Sequence, residues 1–370
     1  MSKTPHQIHM ARCLELADLS QGRTSPNPTV GAVIVKDNKI VGEGRTQRPG
    51  GNHAEIEAIL KAGVNCGGAA LYCTLEPCCH TGRTPPCTDA IISAGIKKVI
   101  YANPDPNPLV NGKGHFILEQ SGILVRSGVL SELGKKQNQA YFKHCSTGLP
   151  LVTAKFAMSL DGKIATSSGQ SKWISSKTSR NHAHDIREKT DAIMIGVGTA
   201  ISDDPRLTVR KNQTDTKNPI RVVADSLARI PLNAKLVNNE LKGTTIIAVT
   251  ESADQTKVEA LVEQGNLVWT IQSSNGRINL NTLLQKLGNY DVLNVIVEGG
   301  GTLLGSFLEE KLIDRICAYI APQIIGGTSA PTPFGGAGIG ELSETLKLQN
   351  VEYKTLDKDI CIEADVQDNS

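Results

Sequence analysis

The spacing of apolar residues changes period repeatedly along this chain, and each change predicts an element. Ile8, Ala11, Leu14 and Ala17 recur at helical spacing behind Thr4-Pro5-His6-Gln7. That tetrapeptide offers a capping box with proline at the first helical position. Residues 30–35 and 39–44 are apolar runs flanking Asp37-Asn38, which predicts a hairpin. Helices are predicted at 54–62 and 87–94, and strands at 69–74 and 99–102. This alternation reads as an α/β/α sandwich. A short polar turn at residues 145–150 divides the chain into predicted domains 1–145 and 146–370.

Beyond that turn, strands are predicted at 152–158, 192–196, 220–224, 245–250, 267–271 and 292–297. Helical stretches at 179–189, 257–263, 280–287 and 303–311 separate most of them. That rhythm belongs to a mostly parallel sheet with crossover helices. Residues 351–366 read as two strands around Asp357-Lys358-Asp359, an antiparallel edge pair. The fold class is therefore α/β in both halves.

Bulk properties narrow the function classes. A chain of 370 residues suits two domains, each with its own core. Net charge is +2 and aromatic content 4%, which argues against a basic, stacking surface for nucleic acid. Residues 1–20 lack a signal-peptide core, and no apolar run of spanning length occurs, so no membrane association is expected. Nine cysteines are an odd count for a disulfide framework and fit reduced thiols with a metal site in the cytosol.

The chemistry concentrates first around His53-Ala54-Glu55, at the start of a predicted helix. Downstream lie Cys78, in a loop, and Cys87, at another helix start. A hydrolytic Zn2+ site takes three protein ligands and keeps a fourth position open. His53, Cys78 and Cys87 supply one neutral nitrogen and two thiolates, a set with which zinc lowers the pKa of its water to roughly 7. The helix N-terminus favours thiolate at Cys87. Glu55 is the candidate proton shuttle between water, a ring nitrogen and a departing amino group. Cys79 and His80 are rival ligands by chemistry, but Cys79 adjoins Cys78 and is read as a bystander. A structural zinc clip is the bland alternative, and it leaves Glu55 without a role.

Two glycine-bearing turns mark the second half. The predicted strand at 292–297 runs through Glu298-Gly299-Gly300-Gly301-Thr302 into a helix, and a second turn is Gly196-Val197-Gly198-Thr199. Such turns let backbone N–H groups approach a phosphate. Neither is a dinucleotide fingerprint, and a tight strand-to-helix connection explains either one equally.

Residues 76–87 read E-P-C-C-H-T-G-R-T-P-P-C. This resembles the E-P-C-x-H-x-G-x-T-P-P-C motif of riboflavin-pathway pyrimidine deaminases, and residues 24–31 and 103–108 match that family too. The second half resembles the reductase domain of bifunctional riboflavin-biosynthesis deaminase-reductases at residues 155–163, 171–174, 203–210 and 297–303. Together the matches span nearly the whole chain. The resemblance implies a cytidine-deaminase-like zinc domain followed by a dihydrofolate-reductase-like domain that uses NADPH. It implies that Asn27 contacts the pyrimidine. NADPH is expected against Ala157, Trp173, Thr199, Asp203, Ser226 and the turn Gly300, Gly301, Thr302, Leu303, Leu304, Gly305 and Ser306. The phosphoribosyl end of the substrate is expected at Ser171, Arg187, Leu207, Arg210 and Glu298. Arg187 and Arg210 offer bidentate donors to a phosphate. Lys155 and Asp204 are both candidates to steer protons.

The expected partner is a small phosphoribosylaminopyrimidine, deaminated to an aminouracil and then reduced to a ribityl phosphate, in a homo-oligomer (dimer or tetramer). The rival is a nucleic-acid base deaminase with an RNA-binding second domain, which the charge balance and few aromatics disfavour.

Overall fold

Thr4 caps helix α1 (Pro5–Asp18), and the reciprocal bonds of the box with Gln7 are both present. The buried face of α1 differs from the expected stripe: Met10, Cys13, Leu16 and Ala17 face inward, while Ile8 lies exposed. The packing partner decides this, because a Cβ at Gly31 would run into the Cys13 carbonyl, so bare backbone there admits that turn of α1. The computed structural model describes residues 3–210, 217–238 and 241–367, and the chain forms two compact units, Met1–Gly148 and Leu149–Ser370.

The first unit continues with β1 (Gly31–Lys36), β2 (Lys39–Arg45), α2 (Ala54–Ala62), β3 (Ala70–Leu75), α3 (Cys87–Ser93) and β4 (Lys98–Asn103). Then come α4 (Lys113–Gln120), β5 (Leu124–Ser127), α5 (Ser131–Gln137) and α6 (Gln139–Thr147). Asp37 and Asn38 both take positive φ, the two-residue turn that matches strand twist. The sheet order is β2-β1-β3-β4-β5, with β3, β4 and β5 parallel. Helices α1 and α2 cover its opposite faces, and a Cβ at Gly44 would meet the Ala54 carbonyl at the start of α2. That close approach sets the height of α2, and with it His53 and Glu55, above β1 and β2.

The second unit comprises β6 (Leu151–Ser159), α7 (Lys177–Glu188), β7 (Ala192–Gly196), α8 (Val197–Asp203), β8 (Ile220–Ala224) and β9 (Thr245–Val249). It goes on with α9 (Gln255–Glu263), β10 (Leu267–Thr270), β11 (Ser273–Ser274), β12 (Arg277–Ile278), α10 (Leu280–Gly288) and β13 (Asn294–Glu298). The last elements are α11 (Gly301–Glu309), β14 (Arg315–Ala321), β15 (Leu348–Leu356) and β16 (Asp359–Val366). One nine-stranded sheet runs β10-β9-β8-β7-β13-β6-β14-β16-β15. Neighbours from β10 to β14 are parallel, and β16 and β15 close one edge antiparallel.

Alternation along the strands feeds two cores. Ala192 and Met194 face Leu284, Leu304 and Phe307 of α10 and α11. Ile193 and Ile195 face Ala200 of α8 and Leu261 of α9. Beneath α7, Cys317, Tyr319 and Cys361 form a third small cluster with Ala183. Among the described residues no helix is long and apolar enough to cross a membrane.

Candidate active sites

In the first unit, His53 is the N-cap of α2, Cys87 opens α3, and Cys78 sits in the loop after β3. The His53 Nδ1 lies 3.5 Å from the Cys78 Sγ and 3.3 Å from the Cys87 Sγ. Two donors each about 2.0–2.3 Å from one tetrahedral ion stand roughly 3.4–3.6 Å apart, so the set fits zinc. With Nδ1 as the metal donor, the ring proton sits on Nε2, which reaches the Thr84 hydroxyl at 3.2 Å. That is the outer partner expected to fix a ligand imidazole, and it gives a purpose to the threonine of T-P-P-C. Cys79 turns away, its thiol donating to the Leu109 carbonyl at 3.6 Å.

Glu55 is only 4% exposed, beside this trio. Burial foremost, then the charge of Cys78, pushes its carboxyl up to about 7. The hydrogen bond from Cys87 leads in drawing the Cys78 thiol down, to about 4, with His53 adding to it. A cavity of about 280 Å³ opens onto the group, lined by Asn27, His53, Glu55, Cys78, His80 and Asp105, with Asn107 and Tyr141 also at its wall. Asn27 therefore shares one chamber with the catalytic candidates.

Several of these residues escape sequence reasoning. Asp105 and Asn107 lie in the 103–108 loop, whose position after a strand was the available signal; Tyr141 comes from α6 and left none. Tyr141 donates to Asp105 at 3.0 Å. Glu76, buried to 2%, accepts from the backbone N–H groups of Asp105, Gly112 and His115 at 3.3, 3.1 and 3.0 Å. One carboxylate thus pins the loop that forms a wall of the chamber.

In the second unit, most of the expected cofactor residues gather at the carboxyl ends of parallel strands. Ala157 lies on β6, Thr199 follows β7, Ser226 follows β8, and the glycine turn follows β13. The Gly300 N–H donates to the Thr199 hydroxyl at 3.0 Å, joining the two glycine-bearing turns. Gly299 has φ +150°, a conformation that favours glycine, and α11 starts without a side-chain cap. An uncapped first turn behind glycines fits a cofactor pyrophosphate. Leu303 and Leu304 point into the core, so only their backbone is available to a ligand. Asp203 ends α8, and Trp173 is 65% exposed beneath the Arg180 guanidinium.

Arg187 donates to Glu298 from Nε at 2.8 Å and from Nη2 at 2.6 Å, which occupies one edge of its guanidinium and leaves the Nη1 donors outside this pair. Leu207 packs its side chain into a core cluster and takes positive φ. Lys155 Nζ stands 3.7 Å from Glu298, on the neighbouring strand. Burial raises the Glu298 carboxyl, but Arg187 and Lys155 outweigh it and hold it at about 2. Arg210 sits below the ordinary guanidinium value, through burial and then the charges of Arg187 and Arg206. Such crowding of cations suits an anion, and Arg206 was not foreseen. His184 accepts from the Arg210 backbone N–H at 3.4 Å. Asp204 is tied to Lys235 at 2.7 Å, which separates it from Lys155 as a proton donor. Ser171 lies half-buried in the segment after β6.

Comparison with known proteins agrees with both halves. The RibD C-terminal domain profile matches residues 150–362, and the cytidine and deoxycytidylate deaminase zinc-binding region matches residues 3–103. The riboflavin biosynthesis protein RibD of Aquifex aeolicus is 44% identical over 355 residues, 96% of either chain. The Escherichia coli RibD is 36% identical, over 96% of this chain and 98% of its own. The Acinetobacter baumannii RibD structure superposes with TM-score 0.89 at 39% identity, covering 98% of this chain and 99% of that one. Zinc geometry in one unit, a cofactor cradle in the other and full-length similarity agree, and the chain belongs to the RibD family, the zinc- and NADPH-dependent bifunctional deaminase-reductases of riboflavin biosynthesis.

Proposed function

We propose that the first unit deaminates 2,5-diamino-6-(5-phosphoribosylamino)pyrimidin-4-one to 5-amino-6-(5-phosphoribosylamino)uracil, and that the second reduces the ribosyl group of that product. A related Thermotoga maritima structure, 33% identical with TM-score 0.85, is described as the deaminase and reductase of these two steps. The observation that carries the reading is the single chamber shared by Asn27, His53, Glu55 and Cys78.

Zinc, held by His53, Cys78 and Cys87, supplies the Lewis acidity that makes water nucleophilic near neutral pH. Glu55 takes a proton from the attacking water and gives it to the ring nitrogen, then carries the remaining proton of the added hydroxyl to the amino group, which leaves as ammonia while the carbonyl forms. Asn27 orients the pyrimidine, and Asp105 and Asn107 complete its surround.

Gly300, Gly301, Thr302 and the backbone up to Ser306 would hold the pyrophosphate of NADPH, which would supply hydride for C1′ of the ribosyl group. As the C1′–O4′ bond breaks, the sugar oxygen takes a proton, and Lys155 Nζ is the chosen donor. Glu298, itself fixed by Arg187, holds Lys155 in place. Arg210, with Arg206, receives the phosphate. Ala157, Trp173, Thr199, Asp203 and Ser226 frame the cofactor, while Ser171 and the Leu207 backbone border the sugar phosphate.

We also propose a cytosolic homo-oligomer. All nine cysteines are free thiols, which supports a reducing compartment. The edge strand β15 exposes Leu348, Val351 and Tyr353, which supports self-association and is checked by light scattering.

Mass spectrometry of products from the zinc-loaded protein tests the main reading. Ammonia and the aminouracil are expected without NADPH, and a further gain of two hydrogens with it. Zinc-loaded protein that yields neither product sinks the substrate assignment.

A further inference from the structure

We propose that His182, Cys361 and Glu363 form a second divalent-metal site of the zinc class, separate from the deaminase centre. His182 lies on α7, and Cys361 and Glu363 alternate on β16, so both strand residues face α7. The nitrogen, sulfur and oxygen donors all lie within 4.8 Å of one another. His182 Nε2 is 3.8 Å from Glu363 Oε1. Donors on one tetrahedral zinc stand roughly 3.4 Å apart for nitrogen and oxygen, so a few tenths of an ångström brings this pair to bonding separation, and the Cys361 sulfur stands within 4.8 Å of both.

The surroundings favour the required tautomer. His182 Nδ1 lies 2.9 Å from the Tyr319 hydroxyl. With Nδ1–H donating to that buried oxygen, Nε2 presents its lone pair to the metal, the outer-partner arrangement that orients ligand imidazoles. The Cys361 thiolate and the Glu363 carboxylate would balance a dication. The thiol proton leaves to solvent on binding, past His182 and Glu363, whose side chains are 21% and 20% exposed. Solvent supplies the fourth ligand by the same route.

Two cations stand nearby. Lys354 Nζ is 2.6 Å from Glu363 Oε1, and Arg315 Nη2 is 4.0 Å from Oε2. Arg315 has its own partner in Asp365 at 3.0 Å. Lys354 is 43% exposed on the edge strand and free to swing into solvent, so it acts as the competitor that metal displaces. Bound metal would staple α7 to β16. Because α7 also carries Arg187, the staple would steady the Arg187–Glu298 pair of the reductase site.

Zinc content of the full chain, equilibrated against buffered zinc, tests this by elemental analysis. The expected result is about two ions per chain. His182→Gln and Cys361→Ser should each remove one and keep deamination. In a Cys78→Ser/Cys87→Ser background, cobalt(II) should still produce a thiolate-to-cobalt charge-transfer band, lost on adding His182→Gln. Lys354→Ala should tighten zinc at this site roughly fivefold, the effect of one exposed charge at close range. One ion per chain in the wild type, or no charge-transfer band in the double-serine background, overturns the proposal. Should Cys361→Ser fail to fold, the partly exposed His182→Gln decides alone.

Discussion

Glu55 sits at the centre of the deaminase chemistry, and its removal separates the two activities. Glu55→Gln should lower ammonia release by about 10²–10⁴-fold, the usual scale of general acid–base catalysis. Zinc content and reduction of supplied aminouracil should stay unchanged, and comparable loss of both activities would refute the assignment. His184 gives a pH signature. Burial, then Arg187 and Arg210, lowers its pKa from 6.5 to about 4. The folded value lies below the unfolded one, so between them the unfolded chain binds the extra proton. Folding stability therefore falls as pH drops from about 6.5 to about 4 on this residue's account. Glu298 stays charged throughout that window because Arg187 and Lys155 hold its carboxyl at about 2, and its own stabilising contribution is lost as pH falls from 4.5 through about 2. An NMR titration of the imidazole signals should give a His184 midpoint near 4; a midpoint at the ordinary histidine value would remove the effect.

At the scale of elements, the pair that joins α7 to β13 is the most exposed to test. Arg187 and Glu298 have side chains only 12% exposed, so Glu298→Ala leaves a buried guanidinium unpaired. A loss of about 3–5 kcal/mol is expected in urea unfolding of the second unit. Arg187→Met on top should restore part of it, and strict additivity in that cycle would show the pair to be uncoupled. This pairing also shows what the chain conceals. Helix α2 and strands β7 and β8 fall at the residues their patterns predict, and His53 with Cys78 and Cys87 was legible because the motif itself encodes the ligand set. The Arg187–Glu298 contact spans 111 positions and leaves no local trace, so the pairing itself was not legible. Leu207 is similar, since only the tertiary core shows where its side chain goes. The inward face of α1 was misread because a bare glycine in β1, rather than the helix's own periodicity, selects the packed side.

For the whole molecule, the two units Met1–Gly148 and Leu149–Ser370 carry separate hydrophobic clusters. Chelation of zinc from a His182→Gln chain should therefore abolish deamination and leave NADPH oxidation with supplied aminouracil within about twofold of the same chain untreated, since no residue of the reductase site is a ligand of the deaminase metal. A chelator that stops both reactions equally would argue that the units share one stability. The strand order of the larger sheet has a consequence for synthesis. Strand β13 inserts between β6 and β7, and β16 then pairs with β14. The ribosome thus releases everything the deaminase fold needs long before the reductase sheet has its central strand. The first unit can mature while its successor is still being threaded out, and until β13 emerges β6 and β7 present unpaired edges. Ribosome stalling ahead of β13 would leave a finished deaminase tethered to an aggregation-prone stub, so chaperone demand should peak over that stretch of translation.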